Sequence, residues 1–135
     1  MAASKEIDTR PLSPHLMNWK WHVTMASSIF HRASGVALYI GSFVITALIV
    51  SAAMGPEAYE VVEGLAFSIV GKVVMFAFTA AIVYHMLSGI RHMIWDGPRV
   101  GFSPSVASAW SWFNILATAA ITIAIWAVGL TGVGL

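Results

Sequence analysis

The chain has 135 residues, 59% hydrophobic and 10% charged, with a mean hydropathy of +0.81. Soluble domains carry about 25% charged residues, so this composition is that of a membrane protein. A net charge of +1 excludes a basic nucleic-acid footprint. The absence of cysteine excludes disulfides, thiol catalysis and cysteine-ligated clusters, so any metal must be held by His, carboxylate or Met.

The first 23 residues are expected to form a polar, interfacial N-terminal segment. The opening MAASKEIDTRPLSPHL has no apolar core of a secretory signal, and its acidic residues and early prolines argue against a transit peptide. A bacterial chain that is not processed is the simpler expectation. Pro11 and Pro14 favour extended or turn backbone. Trp19, Lys20, Trp21 and His22 suit the headgroup region, where indole rings anchor and lysine reaches phosphate.

Residues 24–135 are expected to form an all-α anchor of three transmembrane helices. Gly35 to Met54 is 20 residues without a charge or amide, enough to cross a ~30 Å hydrocarbon core. Extended back toward Ala26, this predicts a first span over about 26–54, ended by Gly55 and Pro56. The stretch GPEAYEVVEG, with three glutamates and no Lys or Arg, reads as a link. Gly64 to Ile90 is then interrupted only by Lys72 and His85, which predicts a second span over about 65–93. Lys72 lies near the acidic link and can reach back to that surface. Gly97 and Pro98 mark the stop. Trp110 to Leu130 predicts the third span, about 110–131, with Asn114 its only side-chain amide.

The basic residues Lys5, Arg10, Lys20 and Arg32 precede or open the first span, and Arg91 and Arg99 lie at the second connection. By the positive-inside rule the N-terminus and second connection face the cytoplasm, with the acidic link and C-terminus on the periplasmic side.

Two stripes of polar and small residues then fall at one membrane level. Ser28, His31, Arg32 and Gly35 stand at i, i+3, i+4 and i+7, and His85, Ser88, Gly89 and His92 repeat that spacing. Such stripes suit close helix packing or a large flat ligand against a glycine gap. Ionisable groups inside a bilayer cost roughly 2.5–3.5 kcal/mol on insertion scales, which makes each a functional candidate. Arg32, Arg91 and His92 are close enough to the interface to reach it, and for Arg91 simple anchoring is the favoured expectation. His85 lies six residues before Arg91, ~9 Å deeper, too deep for its short ring to reach water. Its chemistry leaves two options open: a structural histidine bonded to a neighbouring carbonyl, or an axial ligand to a haem iron with Arg and His nearer the surface pairing with propionates. Ser28 reads either as an N-terminal serine capping its own helix, which spacing alone favours, or as a hydroxyl donor to a ligand oxygen. Arg32 could supply positive charge to a quinone oxygen during reduction.

RPLSPHL at Arg10 to Leu16, SIFHRASGVAL at Ser28 to Leu38 and HMLSGIRHMIWD at His85 to Asp96 together resemble the signatures of one family. It is that of the cytochrome b556 membrane-anchor subunits of succinate dehydrogenase, respiratory complex II. The resemblance covers essentially the whole chain, and the joint patterns S-x-x-H-R-x-[ST]-G and H-x-x-x-G-x-R-H-x-x-x-D are highly specific. It implies a bacterial inner-membrane subunit, with a mitochondrial location less favoured, that partners a second small membrane-anchor subunit, an iron–sulfur subunit and a flavoprotein subunit. It further implies that His85 ligates haem b, the other axial histidine coming from the second anchor. Ser28 and Arg32 would line the ubiquinone site, and His31 would lie near the haem propionates and quinone pocket. Succinate oxidation itself would occur on the partner subunits. A haem-free structural anchor of a related dehydrogenase is the competing expectation. A small transporter or channel is a third, for which three helices without an internal repeat are too few.

Overall fold

A computed structural model describes residues 19–132. The N-terminal sequence through residue 18, with Pro11, Pro14 and the RPLSPHL stretch, lies outside the described residues. Four helices follow in chain order: α1 (Val23–Met54), α2 (Pro56–Phe67), α3 (Ile69–Asp96) and α4 (Pro104–Gly132). Among them α1, α3 and α4 are long and apolar enough to cross a membrane. At ~1.5 Å per residue, 28 residues run about 42 Å, so each reaches beyond the hydrocarbon core into the headgroups at one or both ends.

The chain begins α1 earlier than Ala26. His22, in extended backbone, takes the N-cap, with its ring accepting the Met25 amide at 3.4 Å. The Ser28 hydroxyl, beyond the first turn, is therefore not the cap that spacing favoured. Gly55 ends α1 at φ 111°, a left-handed backbone value that glycine tolerates without steric cost.

The acidic stretch is a helix rather than a link. Pro56 starts α2, where its missing N–H costs nothing, and Glu57 in the first turn complements the helix dipole. The expected run of apolar residues from Gly64 to Ile90 is broken at Ser68. That residue's extended backbone stops α2, while its hydroxyl donates to the Leu65 carbonyl at 2.6 Å and accepts the Gly71 amide at 3.0 Å, capping α3. A Cβ at Gly71 would collide with the Leu65 and Ala66 carbonyls, so the tight junction requires glycine there.

The contacts set the topology. His31 near the start of α1 meets His92 near the end of α3, and Gly41 meets Phe78 further along. Arg91 meets Ser111, and Thr79 meets Trp126. Both α1 and α4 therefore run antiparallel to α3, and α1 also touches α4, closing a three-helix bundle. α2 packs on α1 and α3 at the end opposite the histidines.

The bundle is apolar outside and polar within. Among the described residues only Ala26, Val83 and Tyr84 are buried apolar side chains, whereas Ser27, Ser34, Ser51, Ser88, Arg91, Ser111, Asn114, Thr118 and Thr122 are buried polar ones. Lipid tails are as apolar as leucine, so burying leucine between helices gains little. Small residues and interhelical hydrogen bonds supply the association instead. On α1 the buried positions Ser27, Ser34 and Gly41 recur every seven residues, letting α3 approach closely. On α4, Ser111, Asn114, Thr118 and Thr122 form one stripe against its neighbours.

Candidate functional site

The two histidine stripes meet. The His31 ring of α1 stacks on His85 of α3, with centroids 4.3 Å apart and planes 16° from parallel. On the same α3 face it also stacks on His92, at 4.9 Å and 24°. Two further contacts fix His85. Ser34 Oγ lies 3.1 Å from its Nδ1, and a Cβ on Gly35 would come within 3.2 Å of its Cε1. The glycine in the first stripe is thus occupied by the imidazole it faces. Beside Gly89 the space is open: nothing lies within 4 Å of where a Cβ would stand. His92 is held differently, with Nδ1 2.7 Å from the Ser88 carbonyl of its own helix and its ring edge-on to Trp95 at 5.4 Å. The three rings lie face to face rather than converging their nitrogens. Among the described residues no group of three His or acidic side chains is arranged to hold a metal ion.

His31 carries an unanswered group. Its Nε2 is buried and makes no hydrogen bond in this bundle. A buried ring nitrogen without a partner costs free energy, on the order of 1–3 kcal/mol.

Ser28 and Arg32, one turn apart, are exposed on the flank of α1 next to His31. They share that outer surface with the exposed side chains Ile29 and Phe30. The site residues therefore divide: His31 and His85 form a seam between helices, while Ser28 and Arg32 face outward beside it.

Arg91 departs from expectation. Rather than anchoring at the interface, it is only 5% exposed and lies between the helices. Its Nη1 donates to Ser111 Oγ at 3.0 Å and to Ser27 Oγ at 3.3 Å, and its guanidinium sits 4.1 Å over the Trp95 ring. Tyr84 joins the same serine, its hydroxyl 2.9 Å from Ser27 Oγ and 3.1 Å from the Ser27 carbonyl. Hydroxyl acceptors and an aromatic face offset part of the cost of taking the cation out of water, which is why the side chain can turn inward. One turn deeper, Asn114 Nδ2 donates to Ser88 Oγ at 3.3 Å. Sequence spacing passed over Ser27, Ser34, Tyr84 and Ser111, and read Arg91 as an interface anchor. The available signal was the recurrence of Tyr84, Ser88 and Arg91 at i, i+4 and i+7, a second polar face on α3 beside the histidine one.

A bundle of three spanning helices, polar inside and carrying paired histidines at one end, defines a multi-pass membrane subunit with a built polar site. The chain belongs to the family of succinate dehydrogenase/fumarate reductase transmembrane subunits, whose pattern it matches over residues 6–125. It is 32% identical over 117 residues to the succinate dehydrogenase cytochrome b556 subunit of Rickettsia typhi, covering 87% of this chain and 90% of the relative. It is 34% identical over 87 residues to the cytochrome b556 subunit of Paracoccus denitrificans, covering 64% and 67%. The mitochondrial cytochrome b560 subunit of Homo sapiens is 38% identical over 92 residues, 64% of this chain and 53% of that protein. The chain is thus similar to membrane subunits of an oxidoreductase complex in bacteria and mitochondria alike.

Proposed function

We propose that this chain is a membrane-anchor cytochrome b of succinate:ubiquinone oxidoreductase that holds one side of a haem b through His85 and lends Ser28 and Arg32 to the ubiquinone-reduction site. The observation that carries this reading is the imidazole seam. His85 is fixed by Ser34, Gly35 and His31 in the interior of a membrane bundle, where a neutral imidazole suits iron ligation.

The residues present fit the group. Orphaned His31 Nε2 stands beside His85, available to a propionate or a quinone oxygen, and the open space at Gly89 lies one turn along α3 from the ligand position. A bound haem supplies a one-electron store close to the quinone. His85 would hold the iron, with a second histidine supplied by the second small anchor subunit. The exposed apolar faces of α1 and α3 offer the surface for that subunit.

Reduction of ubiquinone takes two electrons and two protons. Arg32 places positive charge beside a quinone oxygen as negative charge develops there, and Ser28 donates a hydrogen bond to the same ring. Both are free of the bundle and so can meet a headgroup at the boundary with partner subunits. Electrons arrive from a flavoprotein through an iron–sulfur subunit, which together oxidise succinate. Lys20, Arg32 and Arg99 mark the histidine end, whereas Glu57, Glu60 and Glu63 mark the other. The charge split supports a cytoplasmic N-terminus, a periplasmic C-terminus and residence in a bacterial inner membrane.

The test is a dithionite-reduced minus oxidised spectrum of the purified complex, which should show a b-type alpha band that His85→Leu abolishes. No band in the native complex would leave the haem-free anchor instead. Arg32→Leu should depress succinate–ubiquinone activity while succinate oxidation by a soluble dye continues; equal loss of both would reject the quinone-site role.

A further inference from the structure

We propose that Ser34 is a positioning residue that fixes the tautomer and the orientation of His85. The inference rests on the reading of His85 as a haem ligand and adds a control element to it. Ser34 is 7% exposed, so water does not compete for its hydroxyl. That hydroxyl has one hydrogen and two neighbours. It lies 2.8 Å from the His31 carbonyl oxygen and 3.1 Å from His85 Nδ1. A carbonyl only accepts, so the serine hydrogen goes to His31. Toward the imidazole Ser34 then presents lone pairs alone, and His85 Nδ1 must carry the proton.

A neutral imidazole has a single N–H, so protonation at Nδ1 leaves the Nε2 lone pair as the one available to iron. A 180° flip of the ring, which would put Cδ2 in place of Nδ1 against Ser34 and Cε1 in place of Nε2, is opposed on two sides. The Gly35 backbone lies against Cε1, and the His31 ring covers one face. Ser34 is the side chain that selects the nitrogen, while Gly35 and His31 hold the plane. The hydrogen bond also strengthens His85 as a donor, because an N–H that is being drawn off leaves the ring more electron-rich. A more basic ligand favours the ferric state, so Ser34 is expected to lower the haem reduction potential.

The test compares Ser34→Ala, Ser34→Thr and Ser34→Val with His85→Leu in the assembled complex. The readouts are haem affinity, reduction potential by redox titration and the low-spin EPR g values. His85→Leu should lose the b-type band. Ser34→Ala should keep it, with haem affinity weakened ~10–100-fold, as is usual when a partner of a metal-bound histidine is removed. Its potential should rise and its g values should shift. Ser34→Thr should restore both toward native values. Native-like affinity, potential and g values in Ser34→Ala would overturn the proposal while leaving the ligand assignment standing. Retention of haem by His85→Leu would overturn the ligand assignment itself. If the alanine variant fails to assemble, the nearly isosteric Thr and Val variants decide. A native-like Thr with a displaced Val supports the role of the hydroxyl, and identical behaviour of the two rejects it.

Discussion

The two ends of the bundle are held together by different means. At the histidine end, α1, α3 and α4 meet through stacked imidazoles and a buried cation shared between serines of two neighbouring helices. At the end bearing α2 they meet through a glycine that receives the Phe78 ring and one hydrogen bond from Trp126 Nε1 to Thr79 Oγ1, 3.2 Å long. The first arrangement spends stability to place polar groups where lipid would exclude them. The second relies on shape and that single interhelical bond, with no buried charge among the described residues. The buried cation and the stacked imidazoles thus lie together where the proposed chemistry is, while small buried hydroxyls such as Ser51 and Thr122 line the rest of the bundle.

Substitutions at the two ends should separate in kind as well as in size. The largest effect is expected for Arg91→Ala, which removes two charge-assisted hydrogen bonds and leaves a gap beside Trp95. A loss of ~3 kcal/mol follows after allowing for the relieved cost of a buried charge. Thermal unfolding of the purified complex would measure it, and the difference spectrum should change as well. Gly41→Leu places a side chain where the Phe78 ring already stands. It should cost ~2 kcal/mol by overpacking, with the absorption spectrum of surviving complex unchanged. A spectral change there would break the division between the ends. Asn114→Ala deletes the link to Ser88 and is expected to cost ~1 kcal/mol, within the range of interhelical hydrogen bonds in membranes. Trp126→Phe keeps the ring and loses only its donor, for ~0.6 kcal/mol or less in the same melting experiment. If Trp126→Phe proved costlier than Asn114→Ala, the polar content of the histidine end would not be its source of cohesion.

Much of this architecture is legible in the sequence. Long uncharged runs reveal three spans because the bilayer imposes a minimum length, and two stripes with the same spacing on antiparallel helices reveal that His31 and His85 share a level. The junction at Ser68 is not legible that way. Leu65, Ala66 and Phe67 are as apolar as the residues after them, so the run reads as one helix although a serine cap divides it. The inward turn of Arg91 is hidden for a related reason. Helices that are apolar on every side carry no hydrophobic face from which to infer which residues point inward. The clue lies in small polar residues instead, and Ser27 and Ser34, seven apart, were less conspicuous than the adjacent Ser28, His31 and Arg32.

The placement of Arg91 also sets an order of events during synthesis. α3 leaves the ribosome before α4, so the guanidinium reaches the bilayer while its Ser111 acceptor is still to be made. Arg91 lies five residues short of the helix end at Asp96, ~7.5 Å by helical rise, near enough for a long side chain to wait at the headgroups. Arrival of α4 is what lets it settle inward, so synthesis of α4 and burial of Arg91 are a single event. Nascent chains truncated ahead of Pro104 are therefore expected to be cleared faster than full-length ones in a pulse-chase experiment, and Arg91→Met in the truncated chain should slow that clearance.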